Sequence, residues 1–285
     1  MELRGVGIWD WGLRGDDRAE IADAAAELEE LGYSAIWFPG SSGGPVFEMA
    51  ATLLEATRHV PVISGILNVW AHEPAEAAAG YARLSEAHPD RFLLGLGVGH
   101  PHQRPGEWGR PLSTMREYLD ALDAADPPVP RDERCLAALG PRMLELARDR
   151  SAGAHPYFVP VEHTRRAREI LGPDALLAPE QAVVLETDPA RAREVGREHT
   201  VGYLRAPNYV NNLRRLGYGD DDLADGGSDR LVDALVAWGD HDAVRRRIEE
   251  HREAGADHVC IQALPRGEGL PRARWRELAP ALVDA

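Results

Sequence analysis

Short apolar runs alternate with longer amphipathic stretches from one end of the 285-residue chain to the other, and this alternation constrains the fold more than any other feature. Gly5–Trp9 (GVGIW) has the composition of a first strand. The following Asp17–Leu31 places Ile21, Ala24, Ala25, Leu28 and Leu31 on one face of a helix. Gly32 closes that helix, and Ser34–Phe38 is the second predicted strand. Helix Val46–Ala56 then leads to strand Val62–Leu67, and helix Glu73–Ala87 to the apolar run beginning Phe92-Leu93-Leu94. The second half repeats the plan. Helix Ser113–Ala125, with Ser113 as its expected N-cap, precedes strand Cys135–Leu139. Helix Pro141–Arg150 precedes strand Gly153–Val159, which Pro156 weakens. Helix Glu162–Leu171, strand Ala182–Glu186 and a helix from Pro189 to His199 follow, and the chain ends with helix Asp242–Ala254, strand His258–Ala263 and helix Pro271–Val283. Eight strand–helix units with no dividing linker predict one (β/α)8 barrel domain over residues 1–285. The alternative, a doubly wound open sheet, normally carries fewer strands in one domain. Only Gly202 to about Gly239 breaks the rhythm. Its tyrosines, Asn211, Asn212 and the acidic DDDLADGG suggest extra helices and a mobile loop inserted before the last strand, able to serve as a lid.

Composition narrows the function. A formal net charge of −15 argues against nucleic acid and anionic membrane as partners. All the Lys+Arg positions are arginine, so a lysine Schiff base and a P-loop lysine are excluded. An anionic ligand would have to be held by arginine and backbone N–H groups. No apolar run approaches the roughly 20 residues needed to span a bilayer, and MELRGVGIWDWG lacks the layout of a signal peptide. The expectation is therefore a cytoplasmic protein, with Cys135 and Cys260 as small core residues rather than a disulfide.

In a barrel the site lies at the C-terminal ends of the strands. The stretch RFLLGLGVGHPH (Arg91–His102) carries Gly95, Gly97 and Gly99 on alternate residues, which bares one face of a strand, and then presents His100 and His102. The H-x-H pair could chelate a metal. The other strand ends offer only His155 to complete such a set, so no metal site is expected. At Leu139-Gly140-Pro141-Arg142-Met143 a strand ends and a proline-started helix begins. Its free N–H groups and Arg142 suit a phosphate, although Gly-Pro also serves tight turns for geometry alone. Ser64-Gly65-Ile66-Leu67-Asn68-Val69-Trp70 could lay backbone and aromatic surface against a flat ring, or could simply be a core strand with a bend. No G-x-S-x-G elbow is present.

These residues resemble the luciferase-like monooxygenase superfamily, in particular its actinobacterial branch dependent on the deazaflavin coenzyme F420. The likeness runs through ELGYSAIWFPG, VISGILNVWAHEPAEAAAGYARLSEAHPDRFLLGLGVGH, RPLSTMREYLDALD, LAALGPRMLELARDRSAGAHPYF, HTRRAREILG and LLAPEQAVVLETDPARAR. The resemblance implies a deazaflavin, or alternatively FMN, at the mouth of a (β/α)8 barrel. It implies a non-proline cis peptide at Gly65–Ile66 or a neighbouring bond, Asn68 facing the cofactor, and Gly99 giving clearance for its ring. The phosphate would sit on Gly140, Pro141, Arg142 and Met143, with Gly153 and Ala154 beside it. His100 would be the acid/base, and Trp9, Trp11, Phe38, Gly40 and Trp70 would bound the pocket for a small organic substrate. Gly40 stands where relatives commonly carry an acidic group. The resemblance also implies a homodimer. The expected activity is hydride transfer between deazaflavin and substrate. The alternatives are FMN-dependent monooxygenation fed by a cofactor-reducing partner enzyme, a non-catalytic flavin-binding barrel, and a metal hydrolase built on His100 and His102.

Overall fold

Ten strands, each paired in parallel with its neighbour, form a single sheet in a computed structural model that describes residues 2–40, 44–99, 110–267 and 269–283. The strands are β1 (Gly5–Trp9), β2 (Ile36–Gly40), β3 (Val62–Asn68), β4 (Phe92–Gly97), β5 (Arg134–Leu136), β6 (Gly153–Ala154), β7 (Leu176–Leu177), β8 (Glu180–Leu185), β9 (Val236–Gly239) and β10 (His258–Ala263). Between them run α1 (Arg18–Glu30), α2 (Val46–Ala56), α3 (Pro74–Ala87), α4 (Pro111–Asp123), α5 (Pro141–Arg150) and α6 (Val161–Leu171). Then come α7 (Pro189–Tyr203), α8 (Pro207–Arg215), α9 (Asp220–Leu223), α10 (Asp229–Leu235), α11 (His241–Glu253) and α12 (Arg272–Leu282). Asp17 caps α1 by accepting from the N–H groups of Ala19 and Glu20 at 3.1 and 3.0 Å, and Ile21, Ala24, Ala25 and Leu28 are the face that it buries. Helix α4 starts two residues before the expected Ser113, because Pro111 has the fixed φ and missing N–H that a first turn accepts.

The sheet curls. Trp37 on β2 stacks on His155, just beyond β6, with ring centroids 4.2 Å apart. The two strands are four places apart in the sheet order, a separation of about 19 Å were the sheet flat. The run from β7 into β8 hydrogen-bonds on both sides. Ala178 and Glu180 donate to the carbonyls of Ala154 and Pro156, both at 2.9 Å, and Cys260 donates to Pro179 at 3.0 Å. The interior is filled by Trp9, Trp37, Ile63, Leu93, Cys135, Ala178 and Cys260, and both cysteines are free, buried thiols. A larger apolar layer lies between the outer face of the sheet and the helices. The arrhythmic 202–239 stretch forms α8, α9, α10 and the unexpected strand β9, which pairs with β8. Its apolar residues join Phe158, Ala182 and Val184 in a second cluster. No helix among the described residues is long and apolar enough to cross a membrane.

One irregularity organises the site end of the sheet. Relative to both neighbours, β3 carries one extra residue between Ser64 and Leu67, and the Gly65–Ile66 peptide bond is cis. The Ser64 hydroxyl accepts from the Gly95 N–H and donates to the Gly95 carbonyl, both at 2.9 Å, replacing the ladder that the bulge interrupts. A Cβ at Gly95 would lie 1.9 Å from the Ser64 carbonyl oxygen, and one at Gly97 would lie 2.6 Å from the Ile66 side chain. The glycines of β4 therefore make room for the neighbouring strand. Gly95→Ala should lower unfolding stability by about 2–4 kcal/mol. Gly202→Ala, in helix α7 with open space around its Cα, should raise it by about 0.5–1 kcal/mol. Denaturant midpoints check both, and equal midpoints for the two variants would contradict the packing argument.

Candidate active site

The C-terminal strand ends open into a cavity of about 680 Å3. Gly65 and Ile66 from the bulge, Gly97–Gly99 at and beyond the end of β4 and Ala137–Leu139 after β5 supply one side. Trp9, Trp11 and Tyr157 supply aromatic walls, while α7 and α8 contribute Val195, His199, Tyr203 and Tyr209. Leu264, Pro265 and Arg266 follow β10 at the rim. Trp9 is locked in place: its indole N–H donates to the Gly65 carbonyl at 2.9 Å, and its ring meets Trp11 edge-on at 5.3 Å and Tyr157 at 5.0 Å.

A hydrogen-bonded chain ties the helical side of the cavity to the strand ends. Arg266 Nη2 donates to the Tyr203 hydroxyl at 2.6 Å, and the Tyr203 and Tyr157 hydroxyls are 2.7 Å apart. Tyr157 donates to Gln262 Oε1 at 2.8 Å. Each phenol has one proton, so Tyr203 must donate to Tyr157. The Arg266 guanidinium also lies 5.2 Å from the Trp11 ring centroid.

The buried titratable groups around this chain are held neutral. His155 Nδ1 is 2.7 Å from the Ala178 carbonyl, so it carries the proton and Nε2 is left as an acceptor without a partner among the described residues. Burial pushes its pKa down to about 4. The ring nitrogens of His199 also lack partners among the described residues, and burial, with Arg266 adding to it, pushes that imidazole down to about 3. Glu180 accepts at Oε2 from the N–H of Phe158, a residue with φ of +59°, at 3.3 Å. Burial raises the Glu180 carboxyl to about 8, against the pull of that N–H and of Arg266.

Of the residues expected from sequence, Trp9, Trp11, Gly65, Ile66 and Gly99 line the cavity. Phe38 does not. Strand residues alternate sides, and Trp37 takes the interior while Phe38 is buried under the helices. Gly40 is not among the residues lining the cavity either, and a Cβ there would lie 2.9 Å from Val46 and 3.0 Å from the Ile66 carbonyl. Trp70 packs against the outer core. Asn68 is buried at the end of β3, where Oδ1 accepts from the Trp70 N–H at 3.0 Å. Neither Asn68 nor Trp70 lines the cavity. Gly140, Pro141, Arg142 and Met143 form the start of α5, one residue beyond the lining Leu139, and Arg142 is exposed. A Cβ built at Gly140 would lie 3.6 Å from Arg215 Nη1, so the end of α8 brings a second guanidinium there. Gly153 and Ala154 sit inside the strand ladder rather than at a ligand surface. A Cβ at Gly153 would be 2.0 Å from the Leu176 carbonyl, so its glycine serves the approach of β7. His100 and His102 lie outside the described residues. No group of three or more metal-binding side chains occurs among the described residues. Glu180, His199 and Arg266 were not anticipated. Arg266 could have been found by reading three residues past the last strand.

A curled parallel sheet with alternating helices and a cavity at its C-terminal edge defines a barrel-type enzyme architecture. Residues 6–258 match the luciferase-like monooxygenase family, and the chain belongs to it. A Mycobacterium tuberculosis protein whose name, itself provisional, is coenzyme F420-dependent oxidoreductase is 24% identical over 91% of this chain and 94% of its own. Among solved structures, an F420-dependent secondary alcohol dehydrogenase in complex with an F420–acetone adduct superposes with a TM-score of 0.73 at 16% identity, covering 99% of both chains. The coenzyme F420-dependent tetrahydromethanopterin reductase of Methanopyrus kandleri gives 0.73 at 18% identity, again over 99% of both. The oxygenating constituent of 3,6-diketocamphane monooxygenase from Pseudomonas putida, in complex with FMN, gives 0.67 at 14% identity over 98% of this chain and 97% of that one. At these identities the structural likeness is one of fold.

The neutrality of Glu180 has a measurable consequence. Between its ordinary value of 4.5 and about 8 the native state holds a proton that the unfolded chain has released. Stability therefore falls as pH rises through that window, by about 1.4 kcal/mol per pH unit from this group. Glu180→Gln removes that slope and keeps the shape. Its advantage over the wild type should be small near pH 4.5 and grow steadily up to pH 8 in denaturant melts. A constant offset between the two curves would show that Glu180 is ionised in the native protein.

Proposed function

We propose that this protein is a coenzyme F420-dependent oxidoreductase that moves a hydride between the deazaflavin and an organic substrate. The observation that carries the reading is the cavity itself. Its Gly65–Ile66 and Gly97–Gly99 side offers main chain rather than polar side chains, its other walls include Trp9, Trp11, Tyr157, Tyr203 and Tyr209, and its volume of about 680 Å3 suits an organic cofactor and substrate. The F420-dependent enzymes among the curated and structural relatives support the choice of cofactor. In this reading the sheet is a complete eight-stranded barrel, with the run from β7 into β8 as the seventh strand, and α7 and α8 cap its mouth.

The deazaflavin supplies the hydride chemistry when bound. The chain supplies position and dryness. The positive end of α5, together with the guanidinium groups of Arg142 and Arg215, holds the phosphate. Gly65, Ile66 and Gly99 back the ring, and His155 Nε2 accepts a hydrogen bond from a donor on the bound molecule. The cap keeps water from the reacting atoms, and His100 handles the proton. FMN-dependent monooxygenation is the second reading, favoured by the FMN complex among the structural relatives.

Spectroscopic titration separates the two. F420 should bind saturably, and Arg142→Gln and Arg215→Gln should each weaken it by about tenfold. Binding of FMN in preference to F420 would move the assignment to the second reading. Binding of neither would remove both.

A further inference from the structure

Arg266 is the only cationic side chain among the described residues that line the cavity, because His155 and His199 are held neutral there. Of its five N–H donors one is used, on Tyr203, and it has no other hydrogen bond and no ion pair among the described residues. Besides the Tyr203 hydrogen bond, its guanidinium carbon lies 5.2 Å from the Trp11 ring centroid and 5.8 Å from that of Tyr203, so the group is held from two sides. A fork whose orientation is already set loses little freedom on meeting a planar anion. Three carboxyl groups lie near enough to matter. Glu180 is uncharged at neutral pH, Asp10 is engaged with the Gly12 N–H at 2.7 Å and pushed up to about 6 by burial, and Glu198 is exposed at the cavity margin. None of the three forms an ion pair with the guanidinium. Beneath it, Trp9, Trp11 and Tyr157 offer contiguous aromatic surface.

The geometry points to a substrate that is an organic anion: a flat apolar body against Trp9, Trp11 and Tyr157, with a carboxylate taken by the free edge of Arg266 at the rim. Tyr203 is the positioning residue of this subsite, because its hydroxyl aims the guanidinium. The inference rests on the reading of the cavity as a substrate site, and it names the class of substrate that the site selects.

The test uses the full chain without cofactor and two isosteric probes, benzoate and benzamide, in calorimetric titrations. Benzoate should bind about tenfold or more tighter than benzamide. Arg266→Gln, at an exposed position, should fold as the wild type does by circular dichroism and bind the two probes equally. Arg266→Lys, which keeps the charge but loses the fork, should retain part of the preference. Equal binding of the probes by the wild type overturns the inference, as does a preference that survives Arg266→Gln or an absence of benzoate binding at millimolar concentration. An F420 titration of the same samples keeps the two readings apart. F420 binding without benzoate preference removes this inference alone. Benzoate preference without binding of F420 or FMN removes the proposed activity and leaves the anion subsite standing.

Discussion

The contact between Ser64 and Gly95 governs the geometry of everything at the mouth of this fold. Two parallel strands ordinarily exchange evenly spaced hydrogen bonds, and an extra residue in one of them leaves main-chain groups without partners. Here the Ser64 hydroxyl satisfies both the N–H and the carbonyl of Gly95, so the β4 groups opposite the bulge are paired. That arrangement needs bare main chain opposite, which the alternating glycines of β4 provide. With the bulge in place, the Gly65 carbonyl faces the Trp9 indole and Ile66 reaches the cavity. Trp9 in turn orients Trp11 and Tyr157, so one serine–glycine contact underlies the aromatic wall.

This changes what the glycine pattern means. Alternate glycines mark a face that something approaches closely, and the sequence alone does not say whether that something is a ligand or a neighbouring strand. At Gly95 and Gly97 it is β3, and at Gly153 it is β7; of the glycines read as ligand clearance in RFLLGLGVGHPH, Gly97 and Gly99 do border the cavity. Much of the fold was legible because its strands are buried runs punctuated by glycine, proline and amphipathic helices: β1, α2, α5 and β10 have the expected boundaries. The failures have local causes. Strand β6 is two residues rather than seven: Pro156 has no N–H to give to the ladder, although its carbonyl still accepts from Glu180 at 2.9 Å. Strand β9 lies in a stretch whose short apolar run VAW was masked by surrounding helix and turn residues.

The site was legible only in part, and the split follows from period. A strand's two faces differ by one residue, so choosing Phe38 over Trp37 exchanges a core residue under the helices for one in the interior. Trp9 and Trp11 were recoverable because the first strand ends between them. Tyr203 and His199 come from the end of a helix and Glu180 from a short strand after Pro179. Their meeting is a product of tertiary packing that no spacing in the chain encodes.

The electrostatics of the cavity run against those of the molecule. The chain carries −15 overall, so at long range it repels an anion and slows its approach. Inside, burial raises Glu180, so that carboxyl does not neutralise the guanidinium, and lowers His155 and His199, so neither adds a second positive charge. Among the described residues that line the cavity, the one guanidinium at the rim then acts over hydrogen-bond distances, while the distant surface charge is screened at physiological ionic strength. Such an arrangement selects an anion by how long it stays rather than by how fast it arrives.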